Sequence, residues 1–257
     1  MTTPDAESFD RWYRAIANST RWDPFMQQWL SLSPDVQSNG YLTGSGFAEV
    51  FPRLHLTPRS TLVELGCGRG GYGMAAARAS GARLVGVDFS EAALTAARRQ
   101  ASHLQLDDVV EFRTGDLTAT RLPTDSADAV LCVDAFHFAY PPAAAAAECR
   151  RLLRPGGRLV LTSWEPVEPG DPVLPERLRH LNVNQELSTA GLVDIDVEIR
   201  HDWSKVERAL WEAAVGLDPA GDSAIAELVE EARELLWLTT SLRRVLVTAQ
   251  TPMATEG

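Results

Sequence analysis

The segment Thr61 to Gly71, TLVELGCGRGG, constrains this chain more than any other. An apolar run containing the acid Glu64 turns through closely spaced glycines and enters an alanine-rich helical pattern. A second apolar run, Val85 to Ser90 (VGVDFS), contains Asp88 near its end. The order strand, glycine loop, helix, strand is that of the nucleotide-binding half of an α/β domain. Gly66-Cys67-Gly68-Arg69-Gly70-Gly71 fits GxGxxG, and Asp88 lies about 20 residues on, where an acid can accept hydrogen bonds from ribose hydroxyls. Taken alone, the pattern admits NAD as well as other adenosine ligands.

The pattern continues as strands alternating with helices, which requires a mostly parallel, doubly wound sheet. Strands are predicted at Leu62 to Leu65, Leu84 to Val87, Val109 to Arg113, Ala129 to Val133, Arg158 to Thr162, Val193 to Ile199 and Arg244 to Ala249. The unbroken run AVLCV at Ala129 suits a central strand covered on both faces. Helices are predicted at Tyr72 to Ser80, closed by Gly81, and at Glu91 to Gln100, capped by Ser90. Another is predicted at Pro141 to Leu153, stopped by Pro155-Gly156-Gly157, and a fourth at Gln185 to Ala190. Ligands in such sheets sit beyond the carboxyl ends of the strands.

Two segments are additional to that plan. Residues 1–59 are rich in aromatics and form a helical N-terminal lid segment, which Pro24 and Pro34 break into short helices. Its tyrosines, Tyr13 and Tyr41, are candidates for a pocket wall. The main domain, 60–257, carries a helical insertion at about 204–238 before the last strand. There Ser204 to Glu207 reads as a capping box, and Ile225, Leu228, Val229, Ala232, Leu235 and Leu236 share an apolar face.

A net charge of −11 argues against general affinity for nucleic acid or anionic membrane. The polar, acidic start MTTPDAESFD is neither a signal peptide nor a transit peptide, and no apolar run reaches the roughly 18–20 residues of a membrane helix. Cys67, Cys132 and Cys149 are widely spaced and suggest no metal site; they predict reduced thiols in a cytoplasmic protein.

Three further features choose among adenosine ligands. Glu64 precedes the first glycine by two residues, where a carboxylate would repel a pyrophosphate and favour a cationic amino-acid ligand. Asp116 follows the third strand in Gly115-Asp116-Leu117, and Glu148 to Leu161 reads ECRRLLRPGGRLVL. ELGCGRG, GVDFS, GDL and ECRRLLRPGGRLVL, in this order, resemble class I S-adenosylmethionine (SAM)-dependent methyltransferases over roughly residues 60–165. The rest is more weakly similar to small-molecule methyltransferases of bacterial secondary metabolism.

The resemblance implies a seven-stranded sheet with an antiparallel last strand and SAM as cofactor, with S-adenosylhomocysteine (SAH) as its product. Gly66, Cys67 and Gly68 would approach the methionine part with their backbones, and Glu64 would order that region. Asp88 would take the ribose hydroxyls, Phe89 would pack on adenine, Asp116 and Leu117 would hold it, and Val133 would lie near the sulfonium. His137 is the candidate base after the fourth strand, with Asp134, Tyr140 and Trp164 as further pocket candidates. The expected partner is a small, largely apolar or aromatic acceptor, and the expected assembly a monomer or homodimer. The competing readings are a SAM-binding protein that catalyses a non-methylating reaction and an NAD-dependent oxidoreductase; the latter lacks a recognisable Tyr-x-x-x-Lys pair.

Overall fold

A computed structural model describes residues 5–254; the MTTP start and the last three residues of the expected domains lie outside it. Three helices come first: α1 (Ala6–Asn18), α2 (Trp22–Leu30) and α3 (Gly44–Arg53). The α/β unit follows as β1 (Thr61–Leu65), α4 (Gly71–Ser80), β2 (Arg83–Asp88), α5 (Glu91–His103), β3 (Val110–Thr114) and β4 (Ala127–Val133). After a short 3₁₀ turn at Phe136–Phe138 come α6 (Pro142–Leu152), β5 (Leu153–Pro166), α7 (Glu176–Arg179), α8 (Val183–Thr189) and β6 (Val193–Ile199). The chain closes with α9 (His201–Val215), α10 (Ser223–Leu238) and β7 (Leu242–Gln250).

The seven strands form one sheet in the order β3-β2-β1-β4-β5-β7-β6. All neighbours are parallel except β7, which is antiparallel to both β5 and β6. Alternate residues of each central strand enter different core layers. Leu62, Leu131 and Val160 pack with α4, α5 and the lid helices; Val63, Val130 and Leu159 pack with α6 and α8. A sheet buried on both faces explains the near-continuous apolar runs. Local signals set the boundaries. The Ser90 hydroxyl caps α5 by accepting the Ala93 N–H at 3.2 Å, and Gly81 ends α4 at φ 74°.

Four local expectations need correction. Pro24 lies in the first turn of α2, where a missing N–H is harmless, so it does not break the segment there. α6 stops at Leu152, before Pro155-Gly156-Gly157, and β5 begins at Leu153 rather than Arg158. Gly156 takes φ 75° as the β4–β5 register shifts between Ala127 and Ala129. The insertion begins at His201 rather than at about 204, because Ser204 lies within α9 and bonds back to the Arg200 carbonyl. Its intended capping partner, Glu207, is buried elsewhere.

Candidate functional site

The carboxyl ends of β1 to β5 open into one cavity of about 560 Å³, roofed by α1 and α10. At one end lies the glycine loop. Gly66 and Gly68 take φ values of 63° and 51°, the left-handed region that a side chain resists. A Cβ on Gly66 would lie 2.4 Å from Ala135 Cβ, and one on Gly68 would lie 2.6 Å from the Tyr13 hydroxyl. Cys67 is buried between them, and burial pushes its thiol well above the usual range, so it is no nucleophile here.

Two carboxylates flank this loop. Glu64 is 2% exposed; its Oε1 accepts the Gly73 N–H at 3.2 Å, and its Oε2 has no partner among the described residues. Burial pushes its carboxyl up to about 8, with the Asp88 charge adding to the rise. Asp88 Oδ2 accepts the Gly68 N–H at 2.8 Å and Oδ1 accepts the Ser90 N–H at 2.9 Å. Each oxygen keeps a further lone pair, and burial raises this carboxyl to about 6. Phe89 lines the cavity beside Phe9, with ring centroids 5.1 Å apart. Asp116 and Leu117 form the rim beyond β3, and Asp116 Oδ1 is held by the Thr118 N–H and hydroxyl.

These raised carboxyls set a pH dependence. A protonated Glu64 contributes stability that is fully present below its ordinary 4.5 and is lost as pH rises through about 8. Asp88, and Glu231 at about 7, act in the same direction. Ligand-free protein is therefore expected to lose stability between about pH 5 and pH 8 in urea unfolding, and Glu64→Gln to lose less. An equal loss in both proteins would remove Glu64 as a cause.

The lid is tied to the sheet by polar contacts as well as aromatic packing. Arg69, in the glycine loop, is 5% exposed and grips Asp23 of α2 through two bonds of 3.0 and 2.6 Å, while its Nε donates to Asn39. Asp10 of α1 accepts from the Ser90 hydroxyl and the Ala92 N–H. Tyr13 therefore lies over Gly68, lining the cavity.

The other end of the cavity holds the remaining candidates. Val133 ends β4, and Asp134 follows at φ 52°. Asp134 accepts the Tyr41 N–H at 2.8 Å and pairs with Arg244 Nη2 at 2.6 Å. Arg244 also pairs with Glu207 Oε2 at 2.8 Å, and Glu207 Oε1 accepts the Trp164 indole N–H at 2.9 Å. Asp134 is thus a fixed strut in a buried cluster joining β4, β7, α9 and the lid segment. His137 is 2% exposed, its ring 4.3 Å from Phe138 and 4.4 Å from Trp164. Neither imidazole nitrogen has a partner among the described residues. Burial holds its pKa well below the ordinary 6.5, with the Arg177 and Arg244 charges adding to the fall, so the ring is neutral. Tyr140 is 65% exposed at the mouth.

All the expected site residues therefore line one cavity. The sequence reading did not find Arg69, Arg244, Glu207, Arg177 or Glu231. Arg244 had a local signal, a charge at the head of the apolar strand RRVLVTA; the rest depend on contacts across the fold. Among the described residues no His, Cys, Asp or Glu group is arranged to hold a metal, and no helix is long and apolar enough to cross a membrane.

The site fits SAM on its own geometry. A cationic amino group suits the unpartnered Glu64 oxygen, ribose suits the lone pairs of Asp88, and the two glycines leave room for close backbone approach. Comparison with known proteins agrees. Residues 63–161 match the family model described as a methyltransferase domain. A demethylmenaquinone methyltransferase of Deinococcus radiodurans is 32% identical over 162 residues, covering 53% of this chain and 66% of the relative. The chain spans from about a third to just over half the length of the first curated relatives it matches, at 31%, 34% and 56%. Among solved structures, the [4+2]-cyclase SpnF superposes with a TM-score of 0.76 at 20% identity, covering 99% of this chain and 98% of that one. Geranyl diphosphate C-methyltransferase from Streptomyces coelicolor gives 0.65 at 19% identity, covering 91% and 98%. From its motifs, its sheet order and these matches, residues 63–161 carry a methyltransferase domain, and the chain has the fold of the class I SAM-dependent methyltransferases.

Proposed function

We propose that the protein transfers a methyl group from SAM to a small, largely apolar or aromatic metabolite in bacterial natural-product biosynthesis. The observation that carries this is the single cavity, with Glu64 and Asp88 at one end and His137 and Trp164 at the other. Bound SAM supplies a methyl group activated by its sulfonium, so the protein's work is to align an acceptor and exclude water. Gly66, Cys67 and Gly68 offer their backbones to the methionine part and Glu64 its free oxygen. Asp88 holds the ribose, Phe89, Asp116 and Leu117 hold the adenine, and Val133 borders the reacting centre. α1 and α10 roof the site. The neutral imidazole of His137 can take a proton from a hydroxyl acceptor. The reading includes a cytoplasmic monomer or homodimer with no nucleic-acid or membrane partner.

The same architecture supports a second reading, since one structural neighbour is a [4+2]-cyclase. At 20% identity that likeness carries the fold alone. Turnover assays on a panel of phenols, alicyclic alcohols and amines, with SAH as the readout, separate the two. Methyl transfer predicts SAH released in step with methylated product. His137→Ala is expected to slow turnover of a hydroxyl acceptor about 10²–10⁴-fold with SAM affinity nearly unchanged. Full activity in that variant would remove His137 as the base. Acceptor conversion without SAH release would favour the non-methylating reading.

A further inference from the structure

The acceptor half of the cavity has a carboxylate wall that the methyl-donor site does not use. α10 carries Glu227, Glu231 and Glu234 at spacings of four and three, one helix face, together with Leu235 and Leu238. All five line the cavity. Behind them Ile225, Leu228, Val229 and Ala232 are buried in the core, which fixes the carboxylates toward the cavity. Glu227 and Glu234 are exposed at the mouth, and Glu231 is half-buried further in, where its Oε1 accepts the Tyr41 hydroxyl at 3.1 Å.

Like charges at these helix spacings repel, and burial compounds that cost. Glu231 shows both effects: its carboxyl is raised to about 7, by burial first and then by Glu207, Glu234 and Glu227. The cations near the wall are committed elsewhere. Arg11 of α1 lies close enough to Glu227 to favour its charge, but is itself 3.0 Å from Glu7. Arg244 serves Asp134 and Glu207, and Arg177 packs on Phe138 and donates to the His137 carbonyl.

A second observation points to a polar ligand in the same place. His137 lines this cavity, is 2% exposed, and leaves both ring nitrogens without a partner among the described residues. Buried polar groups normally have one. A neutral imidazole can accept a hydrogen bond from an ammonium N–H.

Resting on the reading that the other half of the cavity holds SAM, we propose that the acceptor is an amine with an apolar body. Its ammonium is held by the Glu231 carboxylate, and its hydrocarbon part packs against Trp164, Leu238 and Leu242. The amine is the recognition handle, and Glu231 determines specificity for it.

The test is calorimetric titration of SAH-loaded protein at pH 8 with matched pairs: tyramine against 4-ethylphenol, and cyclohexylmethylamine against cyclohexylmethanol. At least one amine is expected to bind about ten- to a hundredfold more tightly than its neutral partner. Glu231→Gln should bring that ratio to about twofold or less while SAH affinity is retained, which also reports that the variant is folded. Glu230→Gln, on the solvent side and paired with Arg233, should leave the preference intact. Neutral partners binding as tightly as the amines, or a preference that survives in Glu231→Gln, would overturn the inference. Wild-type protein that fails to bind SAH would instead overturn the methyl-donor reading, and this one with it.

Discussion

Arg244→Met is expected to destabilise the protein by about 3–5 kcal/mol, because it strands two buried carboxylates. Arg244 lies on β7 at 1% exposure, its guanidinium between Asp134 at 2.6 Å and Glu207 at 2.8 Å. Those partners are 6% and 7% exposed, so water cannot replace the lost cation. The side chain also stacks on Trp164, 4.8 Å from the ring centroid, so packing is lost with the charge. The four residues come from β7, α9, β5 and the turn after β4, and breaking the cluster should loosen the join between the insertion, the lid segment and the end of β4. A fall in melting temperature on the order of 10 °C is expected for a domain of this size. Adding Asp134→Asn and Glu207→Gln should recover part of it, since a neutral set does not leave charge uncompensated. A single variant melting within about 2 °C of the wild type would mean that the cluster is solvated and carries little stability.

The second large effect is expected at Gly66. Its φ of 63° already disfavours a side chain, and the new Cβ would meet Ala135 Cβ at 2.4 Å. That neighbour is fixed by its backbone and cannot rotate away, so either the glycine loop or the segment after β4 must move. Both border the proposed sulfonium position. Gly66→Ala should therefore weaken SAH binding by about a hundredfold or more in calorimetry. Gly68→Ala is the informative contrast. There the obstacle is the Tyr13 hydroxyl, 2.6 Å away on a lid helix, and a side chain can yield where a backbone cannot. A smaller loss at Gly68 than at Gly66 is the expected order. Wild-type affinity in Gly66→Ala would place the cofactor away from this loop.

The parts legible in the sequence were those with local causes. The closely spaced glycines at 66 and 68 mark the loop, Gly81 marks a helix end, Ser90 marks a cap, and AVLCV marks a strand covered twice. Such signals need no partner elsewhere, and they were enough to set the strand count and the cofactor-facing loops. Where two causes competed, the distant one won. Ser204 and Glu207 have the spacing of a capping box, yet Glu207 gains more from Arg244 and two indoles than from a helix end that starts three residues earlier. The Glu227–Glu231–Glu234 stripe was hidden for a related reason: carboxylates on a helix read as a solvated face until the fold shows that the face borders a cavity. Nothing local marks Arg69, which lies between glycines; its role as an anchor of the N-terminal helices appears only with Asp23 and Asn39 beside it.

The most direct measurement is isothermal calorimetry of the full chain with SAH and, separately, with NAD. One SAH is expected to bind per chain with a dissociation constant in the micromolar range, and NAD is expected to give no detectable heat. Binding of NAD without SAH would contradict the SAM reading.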